Sequence, residues 1–169
     1  MLKTRIIPSL LLKNASLVKG AQFKNHKYVG DPINAVKIFN EKEADELVFL
    51  DISATIQNCG PNFELLKDIA SEAFMPFGYG GGITTIKQVE KLFWIGTEKV
   101  IINSQAFYNP IFISEASSVA GASSIVVSID VKKTLFGKYE VFVKNGTVNT
   151  KKSPIEYSKK MEELGAGEL

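Results

Sequence analysis

Two stretches of the chain, 119 positions apart, carry the same strand. Laid over VSIDVKK (127–133), PSLLLKN (8–14) matches Ser9 with Ser128, Leu10 with Ile129, Leu12 with Val131 and Lys13 with Lys132. The one change of chemistry within that match is Leu11 against Asp130. A second match, ADEL (44–47) over AGEL (166–169), is offset by 122 positions. The fifth strand therefore repeats the first, and the sixth repeats the second.

Between the copies, apolar strand-like runs alternate with helical patterns. Strands are expected at 5–12, 46–52, 75–79, 99–103 and 124–131, each a short apolar run suited to burial on both faces. Helices are expected to open at Asp31-Pro32, Asn62, Thr84, Asn109-Pro110 and Ser153-Pro154, where a capping side chain or a proline at the first helical position marks the start. KYEVFVKNGTVNT (138–150) alternates around Asn145-Gly146 and reads as a β-hairpin inserted in a loop.

Strands and helices in strict alternation imply a parallel sheet with right-handed crossovers, either an open doubly wound sheet or a TIM barrel. A fourfold unit that starts again selects the eight-stranded (β/α)8 barrel. Such barrels take about 250 residues. The 169 residues are therefore expected to form one domain, 1–169: a first half-barrel at 1–122 and the start of a second at 123–169, truncated after the start of strand six. Without strand eight beside it, strand one is expected to leave an open sheet edge.

Composition excludes several classes. A net charge of +2 without a basic cluster argues against nucleic acid. No apolar run approaches the length of a membrane span, and MLKTRIIPSLLLKN lacks the pattern of a signal peptide, so a cytoplasmic protein is expected. One cysteine, Cys59, and one histidine, His26, leave no set of ligands for structural zinc. No metal and no cofactor is called for.

In a TIM barrel the chemistry sits at the C-terminal ends of the strands. GYGGGIT (78–84) follows strand three, and its glycines let an anion approach the backbone closely. Gly81 and Gly82, with Asn103 and Ser104 closing strand four, make a candidate phosphate cup. Asp51 and Asp130 are carboxylates at strand ends in apolar runs. Asp130 is assigned to the chemistry. Asp51 either binds substrate or accepts loop N–H groups. LVKGAQFKNHKYVGD (17–31) reads as a mobile lid in which Lys19 meets a phosphate and His26 is a surface residue. At the opposite ends of the strands, Arg5, Glu46, Lys99 and Glu168 share one layer, which suggests ion pairs across the barrel floor.

The motifs RIIPSLLLK, LVKG, GDP, ADELVFLDI, YGGGI, EKVIIN, VVSIDVKK and GAGEL resemble the cyclase subunit family of imidazole glycerol phosphate synthase over the whole chain. The resemblance implies a (β/α)8 barrel of the ribulose-phosphate-binding type. It also implies a heterodimer with a glutaminase docked on the barrel floor, and a phosphorylated small-molecule substrate. Arg5, Glu46, Lys99 and Glu168 match the family's ammonia gate, and Glu98 an acidic position facing the glutaminase. Gly82, Asn103 and Ser104 match one phosphate site. The family's catalytic pair is two aspartates, at the ends of strands one and five. Asp130 is one of them, and Leu11 stands where the other belongs. That departure resembles a branch of the family that works with an amidotransferase in surface-polysaccharide synthesis, delivering ammonia to a sugar nucleotide. The alternatives are the histidine-pathway cyclase itself and a non-catalytic conduit that activates a glutaminase.

Overall fold

The computed structural model describes residues 4–21, 23–135 and 137–169. Residues 1–3, at the start of the expected first half-barrel, and Gln22, in the expected lid, lie outside the described residues.

The chain runs β1 (Ser9–Lys13), β2 (Ser16–Ala21), β3 (Lys24–Gly30), α1 (Pro32–Glu41), β4 (Leu47–Asp51), α2 (Phe63–Glu72), β5 (Phe77–Gly80), α3 (Ile86–Ile95), β6 (Lys99–Ile102), α4 (Ser104–Tyr108), α5 (Ile111–Ala120), β7 (Ile125–Val127), β8 (Asp130–Lys133), β9 (Tyr139–Val143), β10 (Val148–Asn149) and α6 (Pro154–Glu163). A sheet in the order β3-β2-β1-β4-β5-β6-β7 carries the fold, and β8, β9 and β10 form a separate three-stranded sheet. From β1 to β7 the neighbours are parallel and follow chain order, as successive strands of a TIM barrel do. Where a sixth barrel strand belongs, Glu168 bridges Val126 in parallel.

The helices start where their caps dictate. The Asp31 carboxylate accepts the N–H groups of Ile33 and Asn34 ahead of Pro32. Asn62 accepts the N–H of Leu65. Thr85, one residue beyond the expected Thr84, caps α3 in a capping box with Gln88, and Gly96 ends that helix in the left-handed conformation. Asn109 caps nothing at the start of α5. It ends α4 instead, and Pro110 holds the cap position with no side-chain bond.

Strand residues alternate between two environments. Leu12, Phe49, Tyr79 and Ile102 are buried with Leu66, Leu92 and Ile113 of the helices. Their neighbours Leu11, Leu50, Gly80 and Ile101 face a cavity on the inner side of the sheet. This period of two makes the sheet the wall of a barrel.

Three expectations need correction. Strand one begins at Ser9 rather than residue 5, because the proline before it has no N–H for a ladder. The expected lid is a regular hairpin: β2 pairs antiparallel with both β1 and β3, so β1 does not leave the sheet edge open. Register shifts near Leu17 and Lys19 break its alternation, which disguised it as a loop. Its outer strand places Lys24 and Lys27 along the edge, where lysines discourage further pairing. Finally, strand five is not continuous over 124–131. It leaves the parallel sheet after Val127, and Asp130 pairs with Phe142 in the second sheet.

Candidate functional site

A cavity of about 850 Å³ opens at the C-terminal ends of β1, β4, β5, β6 and β7. Its inner wall includes Leu11, Leu50 and Ile101. Both hairpins overhang it: Phe23 and His26 come from the β2–β3 hairpin, and Lys144 and Asn145 from the turn between β9 and β10. Hydrogen bonds pin that second turn to the strand ends. Lys144 N–H donates to Ser104 Oγ at 3.0 Å, and the Asn145 side-chain amide donates to the Ile52 carbonyl at 2.6 Å. The Lys132 ammonium donates to the carbonyl of Gly146.

The glycine run lines this cavity for a steric reason. Gly82 has φ +66°, and a Cβ there would collide with the Cys59 carbonyl oxygen of the β4–α2 loop. Gly81 has φ +134°, and its Cβ would stand 2.5 Å from the Asp51 carbonyl oxygen. Glycine is thus the residue that lets the loop close against the strand end. Asn103 and Ser104 line the same cavity, but their side chains are engaged within the protein. The Asn103 amide donates to the Ser128 carbonyl at 2.8 Å, and Ser104 Oγ donates to Asn103 Oδ1 at 3.1 Å. The cup therefore has a locked frame rather than free side-chain donors.

Asp51 has the structural employment that was one of its two readings. Its Oδ1 accepts Ser53 N–H at 2.8 Å, Ser53 Oγ–H at 2.6 Å and Ala54 N–H at 3.1 Å. It lines the cavity as well. Lys19 is exposed on β2, opposite Lys27, and lies outside the cavity lining. His26 is not a loop surface residue. It is half-buried on β3 and lines the cavity, and a Cβ at Gly20 would stand 2.8 Å from its ring.

Leu11 and Asp130 both line the cavity. Leu11 is flanked by Val18 and Leu50 in adjacent strands, so its surroundings are apolar. Burial raises the Asp130 carboxyl above the usual aspartate range, and the Lys132 ammonium works against that rise. Lys132 itself lies 5.0 Å from the centre of the Phe142 ring and 5.2 Å from that of Phe23.

At the other end of the strands, four charges form one connected chain. Arg5 Nη1 and Lys99 Nζ each lie 3.3 Å from Glu46 Oε2, and Lys99 Nζ lies 2.5 Å from Glu168 Oε2. Glu46 is 3% exposed, and its Oε1 has no hydrogen-bond partner among the described residues. Burial opposes the charge on Lys99, but its bonds to Glu168 and Glu46 prevail and raise its pKa above the ordinary lysine value. Glu98, beside it, is exposed. Among the described residues no three His, Cys, Asp or Glu side chains cluster to hold a metal. No helix there is long and apolar enough to cross a membrane.

The family model described as "Histidine biosynthesis protein" matches residues 5–169. The chain belongs to the histidine biosynthesis protein family. A relative from Pseudomonas aeruginosa, "Putative imidazole glycerol phosphate synthase subunit hisF2", is 50% identical over all of this chain and 67% of its own length. The Vibrio vulnificus relative named subunit hisF3 is 50% identical, again over all of this chain and 65% of its own. "Imidazole glycerol phosphate synthase subunit HisF" of Natranaerobius thermophilus is 43% identical, over the whole chain and 67% of its own length. The chain thus spans about two thirds of the relatives it matches. Within this family the α/β fold is that of the (β/α)8 barrel, and the sheet above is its run of consecutive parallel strands.

Among the cavity-lining residues that the sequence reading did not assign to the site are Lys144, Asn145 and Tyr108. The hairpin holding the first two was legible. Its docking on Ser104 and Ile52 was not, because nothing local in KNG says which way the turn folds.

Proposed function

We propose that this chain is the ammonia-accepting synthase part of an imidazole glycerol phosphate synthase-type assembly. In this reading a glutaminase docks on the face bearing Arg5, Glu46, Glu98 and Lys99. Ammonia passes the charged layer and reaches a phosphorylated substrate in the cavity at the other end of the strands. The observation that carries it is the pairing of two features along one set of strands. An ionic chain, Arg5–Glu46–Lys99–Glu168, buried at Glu46, nearly so at Lys99 and more exposed at its two ends, lies at their starts, and an 850 Å³ cavity holding Asp130 lies at their ends. Gly78 adds room between the two: a Cβ there would stand 3.3 Å from Lys99 Cβ and 2.9 Å from Ile101 Cδ1. For ammonia to pass, Lys99 must exchange its carboxylate partners, and Arg5 and Glu168, which are more exposed, can follow it.

The acceptor in this proposal is a sugar nucleotide of surface-polysaccharide synthesis, handled in the cytoplasm, because Leu11 supplies no proton. A positioned acid or base contributes about 10²–10⁴ in rate, and a pair acting as a unit loses more than one share when halved. Asp130 alone, its carboxyl raised by burial, suits one proton transfer rather than the two of a cyclisation. The second reading is the histidine-pathway cyclase, favoured by the name of the 43% identical relative and opposed by Leu11. The cavity and Asp130 oppose a mere conduit. The test is incorporation of ¹⁵N-ammonia, offered with sugar nucleotides in parallel with the bisphosphate cyclase substrate. Label in a sugar nucleotide supports the proposal, label in the cyclised product supports the second reading, and label in neither sinks both.

A further inference from the structure

An anion held at the glycine cup needs a countercharge, and the structure assigns one that no motif reveals. Among the described residues lining the cavity, Lys144 is the one lysine or arginine. The sequence had given this task to Lys19, which lies outside the lining. We propose that Lys144 is an anion-binding residue of the cavity, contributed by the β9–β10 hairpin, that contacts a phosphate group held at Gly81, Gly82 and Ser104. The proposal rests on reading the glycine cup as a phosphate site.

Three observations converge on it. First, the backbone of Lys144 is fixed to the cup's own frame, through its N–H on Ser104 Oγ at 3.0 Å. The next residue is tied to the Ile52 carbonyl at 2.6 Å, and Thr147 Oγ1 donates back to the Lys144 carbonyl at 2.7 Å. The turn that carries the side chain is thus held at the mouth of the cavity. Second, the Lys144 ammonium lies 5.5 Å from the centre of the Tyr108 ring, and Tyr108 lines the cavity too. Ser104 and Tyr108 are the first and last residues of α4. Lys144 therefore touches that helix at both ends, with its cation on a weakly held perch that a phosphate can outbid. Third, Lys144, Asn145 and Gly146 are all left-handed, at φ +51°, +54° and +69°. Asparagine and glycine take that conformation readily, whereas lysine does not. Backbone strain of this kind gathers at ligand sites.

The substrate class that follows is a phosphate monoester or diphosphate whose oxygens meet backbone N–H groups on one side and an ammonium on the other. A charged hydrogen bond of this type corresponds to about tenfold or more in affinity. Inorganic phosphate is the probe, titrated into the 169-residue chain and followed by amide NMR. Shifts of the Gly81, Gly82 and Ser104 amides report the cup, and the dissociation constant reports the lysine. Lys144→Gln removes the charge and keeps the backbone anchor, and is expected to weaken phosphate roughly tenfold. Lys144→Arg keeps affinity near native. Lys138→Gln, the same charge change on an exposed residue outside the cavity, leaves it unchanged. Cup amides that shift with equal affinity in native and Lys144→Gln proteins overturn the role of Lys144 and leave the cup standing. Cup amides that do not respond to phosphate overturn both.

Discussion

Lys99 Nζ and Glu168 Oε2 meet at 2.5 Å across 69 positions of chain, and the same ammonium reaches Glu46 Oε2 at 3.3 Å. One cation thereby holds carboxylates at the starts of two strands that the internal repeat had already equated. Glu46 is too buried to rely on water, so Lys99 is its essential neighbour.

Removing that neighbour is expected to be costly. Lys99→Ala leaves the Glu46 charge buried with only the exposed Arg5 beside it, at a cost of about 3–5 kcal/mol. The double variant Lys99→Met with Glu46→Gln should recover most of that loss. Urea unfolding of the native protein and the variants measures it, and a loss below 1 kcal/mol for Lys99→Ala contradicts the burial argument.

The same pair sets an alkaline limit. The Lys99 pKa is raised by folding, so its contribution is fully present below the ordinary lysine value of 10.5 and is lost as pH rises through the higher folded value. Stability above pH 10 should therefore fall more steeply in the native protein than in the Lys99→Met, Glu46→Gln variant.

Asp130 titrates in the opposite region with the same sign. Its carboxyl is raised by burial, so the stability linked to it is present below the ordinary aspartate value of 3.8 and is lost as pH rises through the folded value. Carbon-13 NMR of the carboxyl should show a further rise in Lys132→Gln, because Lys132 is what opposes the burial. An unchanged or lower value there contradicts the assignment.

Gly82→Ala should destabilise the protein by about 1–3 kcal/mol, because φ +66° disfavours a side chain and the new methyl meets Cys59 O. Thermal unfolding reads it directly. A neutral effect means the loop of residues 52–62 can retreat from the strand end, and the cup is softer than its geometry implies.

Much of this was legible in sequence, and the failures have definite causes. Buried parallel strands read as continuous apolar runs, and the order of the β–α units follows from that, whereas two helix starts were misplaced: Thr85 rather than Thr84 caps α3, and Asn109 ends α4 instead of capping α5. The hairpin of β2 and β3 was missed because bulges at Leu17 and Lys19 break the period of two. The end of strand five was missed because Asp130 and Val131 keep an apolar-looking register while pairing in another sheet. At the site, the charged floor follows from the repeat, since Glu46 and Glu168 occupy equivalent positions. Lys144 did not follow, because its place depends on a tertiary hydrogen bond from a hairpin to Ser104, 40 positions earlier.

In the proposed reading Leu11 marks a changed reaction. A protein carrying this chain should show no more than background ammonia-dependent cyclisation of the bisphosphate substrate, with Asp130→Asn as the control. Leu11→Asp restores a carboxylate to the cavity wall that Asp130 shares, yet should leave cyclisation near background if the cavity serves a sugar nucleotide. A gain of about 10²–10⁴ would instead identify a cyclase that lacks one group.

Docking of a glutaminase on the charged floor is the claim on which the rest depends, and glutamine hydrolysis by that partner reads it. A glutaminase subunit of the imidazole glycerol phosphate synthase type is titrated with this chain while glutamate release and binding are followed. The native chain should bind it and raise its turnover, Glu98→Lys should weaken binding at least tenfold, and Lys138→Gln, on the hairpin at the far end of the strands, should change neither. Binding and turnover that are unaffected by both Glu98→Lys and Lys99→Met would contradict the account.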